Sequence, residues 1–363
     1  MFATIDQVKE LLAAGKTLVL AAEEDVLRAV PRGSWIGGTI PYFMTEEGGK
    51  TSRTGIFVEV APPFAHPRTA TVYDVSTIAK IGEDSPENGY TILILPAFTP
   101  IHQQYALEAP LYKDLFLKTV AGWISGIHLD DLGKKTPKVF NGMTGEVLSD
   151  RGVALHVDLP ESHRAQIGIV NIFEPAADGD EITFPASGFG VKDCTINGER
   201  RNFHDYVVGK RLDTRLPLVA NFCGALINVS IQALDAQSAT VKLYAPVFEG
   251  VSYRFARPIE SYPQRFLASI PSDVGAPVFT CNCVLNYLYG ELENHRTGSL
   301  LGPMTFGEIA FQLLNQTLVH VTISPARGPR RLSTPGRRRG NFSGADRQWR
   351  VFGVPRSDLR AAR

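Results

Sequence analysis

The sequence predicts an α+β protein, in which two modules of mixed and antiparallel β-sheet are covered by a few helices and followed by a disordered basic tail. Short apolar and β-branched runs, bounded by Gly, Pro, Asn and Asp, recur along most of the chain and are typical of strands. Helical periodicity is confined to a few segments. After residue 323 the composition changes abruptly to Arg, Gly, Pro and Ser.

Length and composition favour a globular protein with about two domains, because 363 residues exceed what one compact core usually spans. Hydrophobic residues make up 44% of the chain and charged residues 20%, which is ordinary for a soluble protein. No apolar run approaches the roughly 20 residues that span a bilayer, and the first residues lack the pattern of a secretory signal. Four cysteines do not indicate a disulfide scaffold. We therefore expect a cytoplasmic protein.

The helices are predicted from caps and periodicity. A capping box between Thr4 and Gln7 begins the first helix, which Gly15 ends. Further helices are expected at 25–30, 111–124, 202–208 and 262–269. The helix at 111–124 has the strongest pattern, and the connection before it, at 97–110, is rich in Pro, Gln and His and is expected to be a functional loop.

Apolar and alternating runs predict the strands. They are expected at 17–22, 34–40, 55–60, 70–75, 90–95, 152–159, 166–173, 191–196, 218–229, 240–243, 278–281 and 318–323. The strand at 34–40 is expected to run into a tight glycine turn at Gly37 and Gly38.

Two small-residue motifs lie near the end of the predicted β-rich region. The run Cys281-Asn282-Cys283 ends a predicted strand and is followed by Tyr289-Gly290-Glu291, and Gly307-Glu308 precedes the run Asn315-Gln316-Thr317-Leu318, which leads into the closing strand at 318–323. Together they resemble the C-terminal signature of FIST domains. Weaker similarity lies in the N-terminal run Trp35–Thr39 and in Asn197-Gly198 followed by Tyr206.

The resemblance implies a FIST N-terminal-like module at 1–185, a C-terminal-like module at 186–323 and a tail at 324–363. It implies a non-catalytic sensory protein that binds a small, amino-acid-like ligand, needs no cofactor and signals to a separate partner protein, with the 97–110 loop as a possible contact. The expected ligand-binding residues are Gly37, Gly38, Thr39, Cys281, Asn282, Cys283, Gly307, Glu308 and Asn315. The sequence departs from the family pattern at 40–43 and 284–287, which leaves the identity of the ligand open.

Glu308 can be interpreted in two ways from the residues alone. Gly307 permits close approach of the backbone, and the neighbouring carboxylate could accept hydrogen bonds from an ammonium or amide of a ligand. Alternatively, Gly307-Glu308 forms a turn whose carboxylate caps local backbone amides. Asn282 and Asn315 offer both donors and acceptors.

The cysteines favour a structural role. The spacing of Cys281 and Cys283 places both thiols on one face of a strand, but a metal site would need two more ligands, and Cys194 and Cys223 are isolated. Small buried hydrophobic side chains explain them best. The alternative function is an enzyme that uses Cys281 or Cys283 as nucleophile, with His295 nearby in sequence, and Glu308 as acid or base.

Other motifs indicate no standard catalyst. His128 with Asp130 and Asp131, and His156 with Asp158, lack metal-ligand spacing and are expected to be surface polar groups, so no metal site is predicted. No G-x-S-x-G, phosphate-binding loop or H-E-x-x-H motif occurs.

The tail suggests a second alternative, an interaction adaptor. From residue 324 onward eleven Arg face two Asp, a net charge of +9, whereas the whole chain has 37 basic and 37 acidic residues. Such a tail could neutralise phosphates while Phe342 and Trp349 stack on bases. We expect an incidental disordered extension instead, and no nucleic-acid or membrane partner.

Overall fold

A computed structural model describes residues 1–222, 225–271 and 275–326. The tail beyond residue 326 and Cys223 lie outside the described residues. The α-helices are α1 (Ile5–Ala13), α2 (Glu24–Arg28), α3 (Ile81–Asp84), α4 (Pro100–Glu108), α5 (Phe203–Gly209), α6 (Tyr262–Ser269) and α7 (Val284–Tyr289). Single 3-10 turns occur at Ile78–Lys80, Ala109–Leu111, Leu115–Leu117 and Leu129–Asp131.

The strands divide into those of the first half and those of the second. The first are β1 (Phe2–Ala3), β2 (Leu18–Ala22), β3 (Trp35–Thr39), β4 (Tyr42–Thr45), β5 (Gly48–Thr51), β6 (Ile56–Val60), β7 (His66–Pro67), β8 (Thr71–Tyr73), β9 (Gly89–Pro96), β10 (Val120–Ser125), β11 (Val139–Asn141), β12 (Glu146–Leu148), β13 (Gly152–Asp158) and β14 (His163–Val170). The second are β15 (Ile182–Thr183), β16 (Gly188–Val191), β17 (Asp193–Ile196), β18 (Glu199–Asn202), β19 (Leu218–Phe222), β20 (Ala225–Val229), β21 (Ile231–Asp235), β22 (Thr240–Val247), β23 (Tyr253–Phe255), β24 (Phe279–Cys283), β25 (Gly302–Thr305), β26 (Glu308–Ala310), β27 (Gln312–Leu314) and β28 (Leu318–Pro325).

Two sheets pack face to face between layers of helix. Sheet 1 has the order β1-β6-β2-β3-β11-β12, and sheet 2 has the order β27-β26-β10-β9-β13-β7 with β8 also on β13. In sheet 1, Leu18 and Leu20 contact α1 and α2, whereas Ala21 joins the central core. In sheet 2, Leu93 packs against α4 and Ile94 faces that same core. The alternation produces helix, sheet, sheet and helix layers.

A third sheet joins distant parts of the chain. Sheet 3 has the order β14-β28-β24-β25-β4-β5, so strands from the first 51 residues pair with strands from the last 50 described ones. Likewise, β26 and β27 extend sheet 2 beside β10. Strands of both predicted modules therefore share two sheets and the central core, which contains side chains of all three sheets.

Two smaller sheets form the remaining unit. Sheet 4 has the order β18-β17-β15-β23-β19-β20, and sheet 5 has the order β16-β22-β21. They enclose a separate apolar cluster around Phe203 of α5 and Tyr253 of β23. The predicted α+β class, with mixed and antiparallel sheets and a few helices, is confirmed.

Local chemistry explains the elements that were predicted correctly. The Thr4 side chain accepts from the Gln7 amide, and the Gln7 side chain accepts from the Thr4 amide, so the capping box begins α1 as expected. The predicted strands at 17–22, 90–95 and 152–159 correspond to β2, β9 and β13. Helices α5 and α6 also lie where they were expected.

The prediction for residues 97–124 was wrong. Residues 100–108 form helix α4 rather than a loop, and the predicted helix at 111–124 is two 3-10 turns followed by strand β10. Strands β9 and β10 are parallel neighbours, and such strands need a crossover of a dozen or more residues, usually with a helix. Gly122 has φ 157° and leaves no room for a Cβ against the Leu93 carbonyl, so glycine at this position lets β10 lie directly against β9.

Within the described part of the chain, no helix is both long enough and apolar enough to cross a membrane.

Candidate functional site

The C-terminal residues that were predicted to bind a ligand lie in the central core. Cys281, Asn282 and Cys283 are in β24, Glu308 begins β26, and Asn315 lies in the turn before β28. Their exposed fractions are all 2% or less. The structure therefore brings together the residues of the two C-terminal motifs, but beneath the surface.

The Glu308 carboxyl group is held by hydroxyl and amide donors. The Thr317 hydroxyl donates to Oε2 at 2.9 Å, the Thr317 amide donates at 3.3 Å, and the Thr305 hydroxyl donates to Oε1 at 3.4 Å. Burial raises the pKa of Glu308 to about 8, and the Thr317 hydrogen bonds oppose this shift only in part. At neutral pH the group is therefore a neutral acid, and it holds the chain at Thr317.

Neither cysteine of the C-x-C run is poised as a nucleophile. Burial and the nearby Glu308 raise the pKa of the Cys281 and Cys283 thiols well above the usual value. The Cys281 thiol donates to the Gly122 carbonyl at 3.2 Å, and His295 is exposed on the surface. These contacts support the interpretation of both cysteines as small core side chains.

The N-terminal glycines lie inside a strand, so the predicted turn was wrong. Gly37 and Gly38 are central residues of β3, which is buried along its whole length. A Cβ on Gly38 would lie 2.8 Å from Ile94 of β9 and 2.8 Å from Trp123 of β10, so glycine allows sheets 1 and 2 to approach. Thr39, which follows them, accepts from the Lys138 amide at 2.9 Å and fixes β3 to the loop before β11.

Trp123 of β10 lies between the N-terminal and the C-terminal residues that were predicted to bind a ligand. Trp123 packs against Gly38 on one side and is the cross-strand partner of Glu308 in the β10–β26 ladder. Paired residues in such a ladder point to the same face, so Trp123 and Glu308 both face the central core. Gly307, just before Glu308, packs against Ile124 of β10.

The two His–Asp pairs are structural. His156 is buried, where its Nδ1 lies 2.9 Å from the Thr91 hydroxyl and its Nε2 lies 3.1 Å from the Tyr73 hydroxyl, and burial lowers its pKa to about 4. The expectation of a surface residue was therefore wrong for His156, whereas Asp158 pairs with Arg68 as a partly exposed group. His128 accepts a hydrogen bond from the backbone of the exposed Asp130. Across the described residues, no group of three or more His, Cys, Asp or Glu side chains could hold a metal ion.

A cavity of about 400 Å³ opens beside the end of α7. Its volume lies in the range of small-molecule sites. It is formed where the segment before α6, the start of α6, the end of α7 and the segment after α5 meet. Its lining residues are Phe173, Asp213, Arg215, Leu216, Pro258, Ile259, Glu260, Ser261, Tyr262, Pro263, Tyr289, Gly290 and Glu291.

The electrostatics of this cavity favour a positive ligand. Arg215 is paired with Asp213, whose carboxylate accepts from Nη2 at 2.7 Å. Glu260 and Glu291 are exposed at the rim and form no ion pair with another described residue. The cavity is therefore lined by three carboxylates, Asp213, Glu260 and Glu291, against one guanidinium, Arg215, whose pKa Asp213 and, more weakly, Glu291 raise. Its aromatic lining is Phe173, Tyr262 and Tyr289.

Hydrogen bonds connect the floor of this cavity to the predicted residues. The Tyr262 hydroxyl donates to Oδ1 of Asn286, and Nδ2 of Asn286 donates to Oδ1 of Asn282 at 2.8 Å and to the Thr317 carbonyl at 3.3 Å. Thr317 in turn donates to Glu308. Asn282 and Glu308 thus lie one layer behind the cavity, where they position its floor.

The residues that line the cavity were missed as site residues. Tyr289-Gly290-Glu291 belongs to the region that resembles the FIST C-terminal signature, and the structure gives Gly290 a packing role. A Cβ on Gly290 would lie 2.5 Å from the Tyr262 ring. Nothing in the sequence links this segment to Glu260, which lies about thirty residues earlier, because the two meet only through tertiary packing.

Comparisons with known proteins address family membership. No curated protein and no solved structure matches the chain. A family model matches residues 3–324, which is most of the chain and ends where the basic tail begins. The chain therefore belongs to a family of unknown function, DUF6976.

Proposed function

We propose that this protein binds a small molecule with an ammonium group, such as an amino acid or an amine, in the cavity beside α7. The observation that carries the proposal is the pair of unpaired carboxylates, Glu260 and Glu291, at the rim of a cavity with tyrosine walls. Ammonium groups form strong hydrogen bonds with carboxylates and are attracted to aromatic rings. The proposal agrees with the amino-acid-like ligand that the FIST resemblance implies.

The arrangement suits binding better than catalysis. The carboxyl group of Glu308 and the thiol of Cys283 are closed off in the core, and burial raises the pKa of both groups away from a reactive charged state. A cysteine nucleophile would have to be a thiolate at working pH. We therefore favour a non-catalytic ligand-binding protein over the enzyme alternative.

Binding of amino acids and amines by the full chain tests the proposal. Common amino acids, putrescine and spermidine are screened by thermal shift, each beside an N-acetylated analogue that lacks the positive charge. A ligand at roughly 100 times its dissociation constant stabilises the native state by about 2.7 kcal/mol. Equal stabilisation by the acetylated analogue would contradict the role of the ammonium group.

Charge-neutral variants locate the site. Glu260→Gln and Glu291→Gln are each expected to weaken binding by roughly tenfold or more, because a hydrogen bond to a charged group contributes about 1.5–3 kcal/mol. Glu249→Gln removes an exposed carboxylate that does not line the cavity and should leave affinity unchanged. Unchanged calorimetric affinity in both cavity variants would refute this location.

A signalling role predicts one further effect, because the ligand must then change the structure or dynamics of a surface that a partner protein contacts. Hydrogen exchange with and without ligand distinguishes the cases. Changed protection in α4, the helix of the segment that was predicted to contact a partner, supports a sensory function. Protection limited to the cavity residues favours a simple binding protein.

A further inference from the structure

A second cavity, of about 280 Å³, lies at the carboxyl ends of two parallel strands. Phe98 follows β9, and Phe306 sits beside the end of β10, where its amide donates to the Ile124 carbonyl at 3.1 Å. The far wall belongs to sheet 5, with Phe189 of β16 and Tyr244 of β22. In open α/β sheets, ligands commonly bind outside the carboxyl ends of parallel strands, and β9 and β10 are a parallel pair of that kind within an otherwise antiparallel sheet. We call this space the His102 cavity, after the histidine in its wall.

His102 offers this cavity a hydrogen-bond donor that the protein does not use. The side chain is 6% exposed, and its Nδ1 accepts from the Phe98 amide at 3.3 Å. Burial lowers the pKa of His102 to about 4, so the ring is neutral at pH 7. A neutral ring whose Nδ1 accepts must carry its proton on Nε2. Nε2 has no hydrogen-bond partner among the described residues.

An unpaired buried donor costs free energy, so its presence points to an absent acceptor. Leaving such a group unsatisfied costs about 1–3 kcal/mol. Phe98 adds a second strained feature to the same wall, since this half-exposed residue has φ 64°. The Phe189 ring stands edge-on to the His102 ring, with centroids 5.9 Å apart, and lines the same cavity.

The charge of the lining selects the kind of acceptor. Among the described residues no carboxylate lines the His102 cavity, and Lys242 is an exposed cation at its edge. Four aromatic side chains, Phe98, Phe189, Tyr244 and Phe306, also line it. The lining of the His102 cavity is thus positively charged, whereas the cavity beside α7 has two carboxylates without a salt bridge to a described residue and is negatively charged.

We propose that the His102 cavity is a second binding site, for a small carboxylic acid with an aromatic or other apolar body. The carboxylate accepts from His102 Nε2 and pairs with Lys242, while the body packs among the phenylalanine rings. The proposal is independent of the ammonium site, since no described residue lines both cavities.

Benzoate and phenylacetate are suitable probes, each beside its neutral amide. Binding to the full chain is measured by calorimetry and by NMR of the protein labelled with ¹⁵N-histidine, in which the Nε2 resonance of His102 is assigned with a His102→Gln variant. We expect the acids to bind more tightly than the amides and to shift the Nε2 resonance. Equal binding of acid and amide, or binding without a shift at His102, would overturn the proposal.

A surface variant keeps the test free of folding effects. Lys242→Gln changes an exposed side chain and should weaken binding of the acid by roughly tenfold while leaving the amide unchanged. Lys192→Gln, at another exposed lysine outside the cavity, is the matched control and should have no effect. No binding at about 10 mM acid, a concentration that nearly saturates a site with a dissociation constant of about 1 mM, also overturns the proposal.

Discussion

Glu291 occupies a backbone position that favours glycine, which allows recognition to be separated from stability. Helix α7 ends in a Schellman motif, in which the Leu292 amide donates to the Tyr287 carbonyl at 3.0 Å and the Glu291 amide donates to the Leu288 carbonyl at 3.4 Å. Glu291 is the left-handed residue of this motif, with φ 50°. Its side chain lines the cavity beside α7. We expect that Glu291→Gly weakens ligand binding without destabilising the protein.

The magnitude follows from two opposed backbone terms. A non-glycine residue in the left-handed region costs roughly 1–2 kcal/mol, which glycine relieves. Glycine also gives the unfolded chain more freedom, which costs about 0.4–1 kcal/mol. The expected net result is a gain of about 0.5–1 kcal/mol, or a rise of the unfolding midpoint by a few degrees at most. Because Glu291 is exposed, loss of its side chain removes little packing.

Urea unfolding and calorimetry of the same variants give the two readouts. Glu291→Gln keeps the strained backbone and loses the charge, so it should bind as weakly as Glu291→Gly but show no gain in stability. Asn294→Gly is the control for the backbone, since Asn294 has φ 62° and does not line the cavity. Its stability should rise less, because asparagine tolerates this conformation, and its affinity should not change. A clearly destabilised Glu291→Gly protein, or one with native affinity, would refute the reasoning.

Two further predictions concern the core. Burial raises the pKa of Glu308 from 4.5 to about 8, so the native state keeps a proton that the unfolded chain loses, and stability should fall as pH rises through that window by roughly 1.4 kcal/mol per unit. Glu308→Gln has no proton to lose, so its free energy of unfolding should fall less steeply with pH than that of the native protein. The difference, measured by urea unfolding between about pH 5 and 8, should correspond to about one proton. An unchanged slope would show that Glu308 ionises normally. Gly38→Ala should cost about 1–3 kcal/mol, because its methyl group would lie 2.8 Å from Ile94 and from Trp123. Gly209→Ala meets nothing within 4 Å at the end of α5 and should be neutral or stabilising, so similar costs for the two alanine variants would contradict the packing of sheets 1 and 2.

Sequence reasoning succeeded where the determinants are local. The capping box at Thr4 requires only neighbouring side chains, and it begins α1 as expected. It failed at residues 111–124, because a short apolar run is compatible with a helix or a buried strand. There the parallel pairing of β10 with β9, set by contacts distant in sequence, decides between them. The glycines of β3 were misassigned for a similar reason, since their small size serves the approach of a second sheet rather than a turn.

The candidate site shows the same limit. The motifs around Asn282 and Glu308 were recognised because they combine small and polar residues at close spacing in sequence. The cavity beside α7 is different, since Glu260 and Glu291 line one space only when the start of α6 packs against α7 through Tyr262. No periodicity or spacing encodes that meeting. The Tyr262–Asn286 hydrogen bond, which joins the two regions, likewise links residues 24 positions apart.

This layering determines which substitutions can report on recognition. Asn282, Asn286 and Glu308 form a buried polar chain, and removing one partner of such a chain leaves another unsatisfied at a cost of about 1–3 kcal/mol. If those variants bound ligand more weakly, the loss could therefore not be distinguished from a structural shift of the cavity floor. Glu260 and Glu291 stand at the exposed rim, where substitution changes charge and little else. The rim carboxylates, rather than the buried Glu308, are thus the residues whose variants can show whether the cavity recognises a cation.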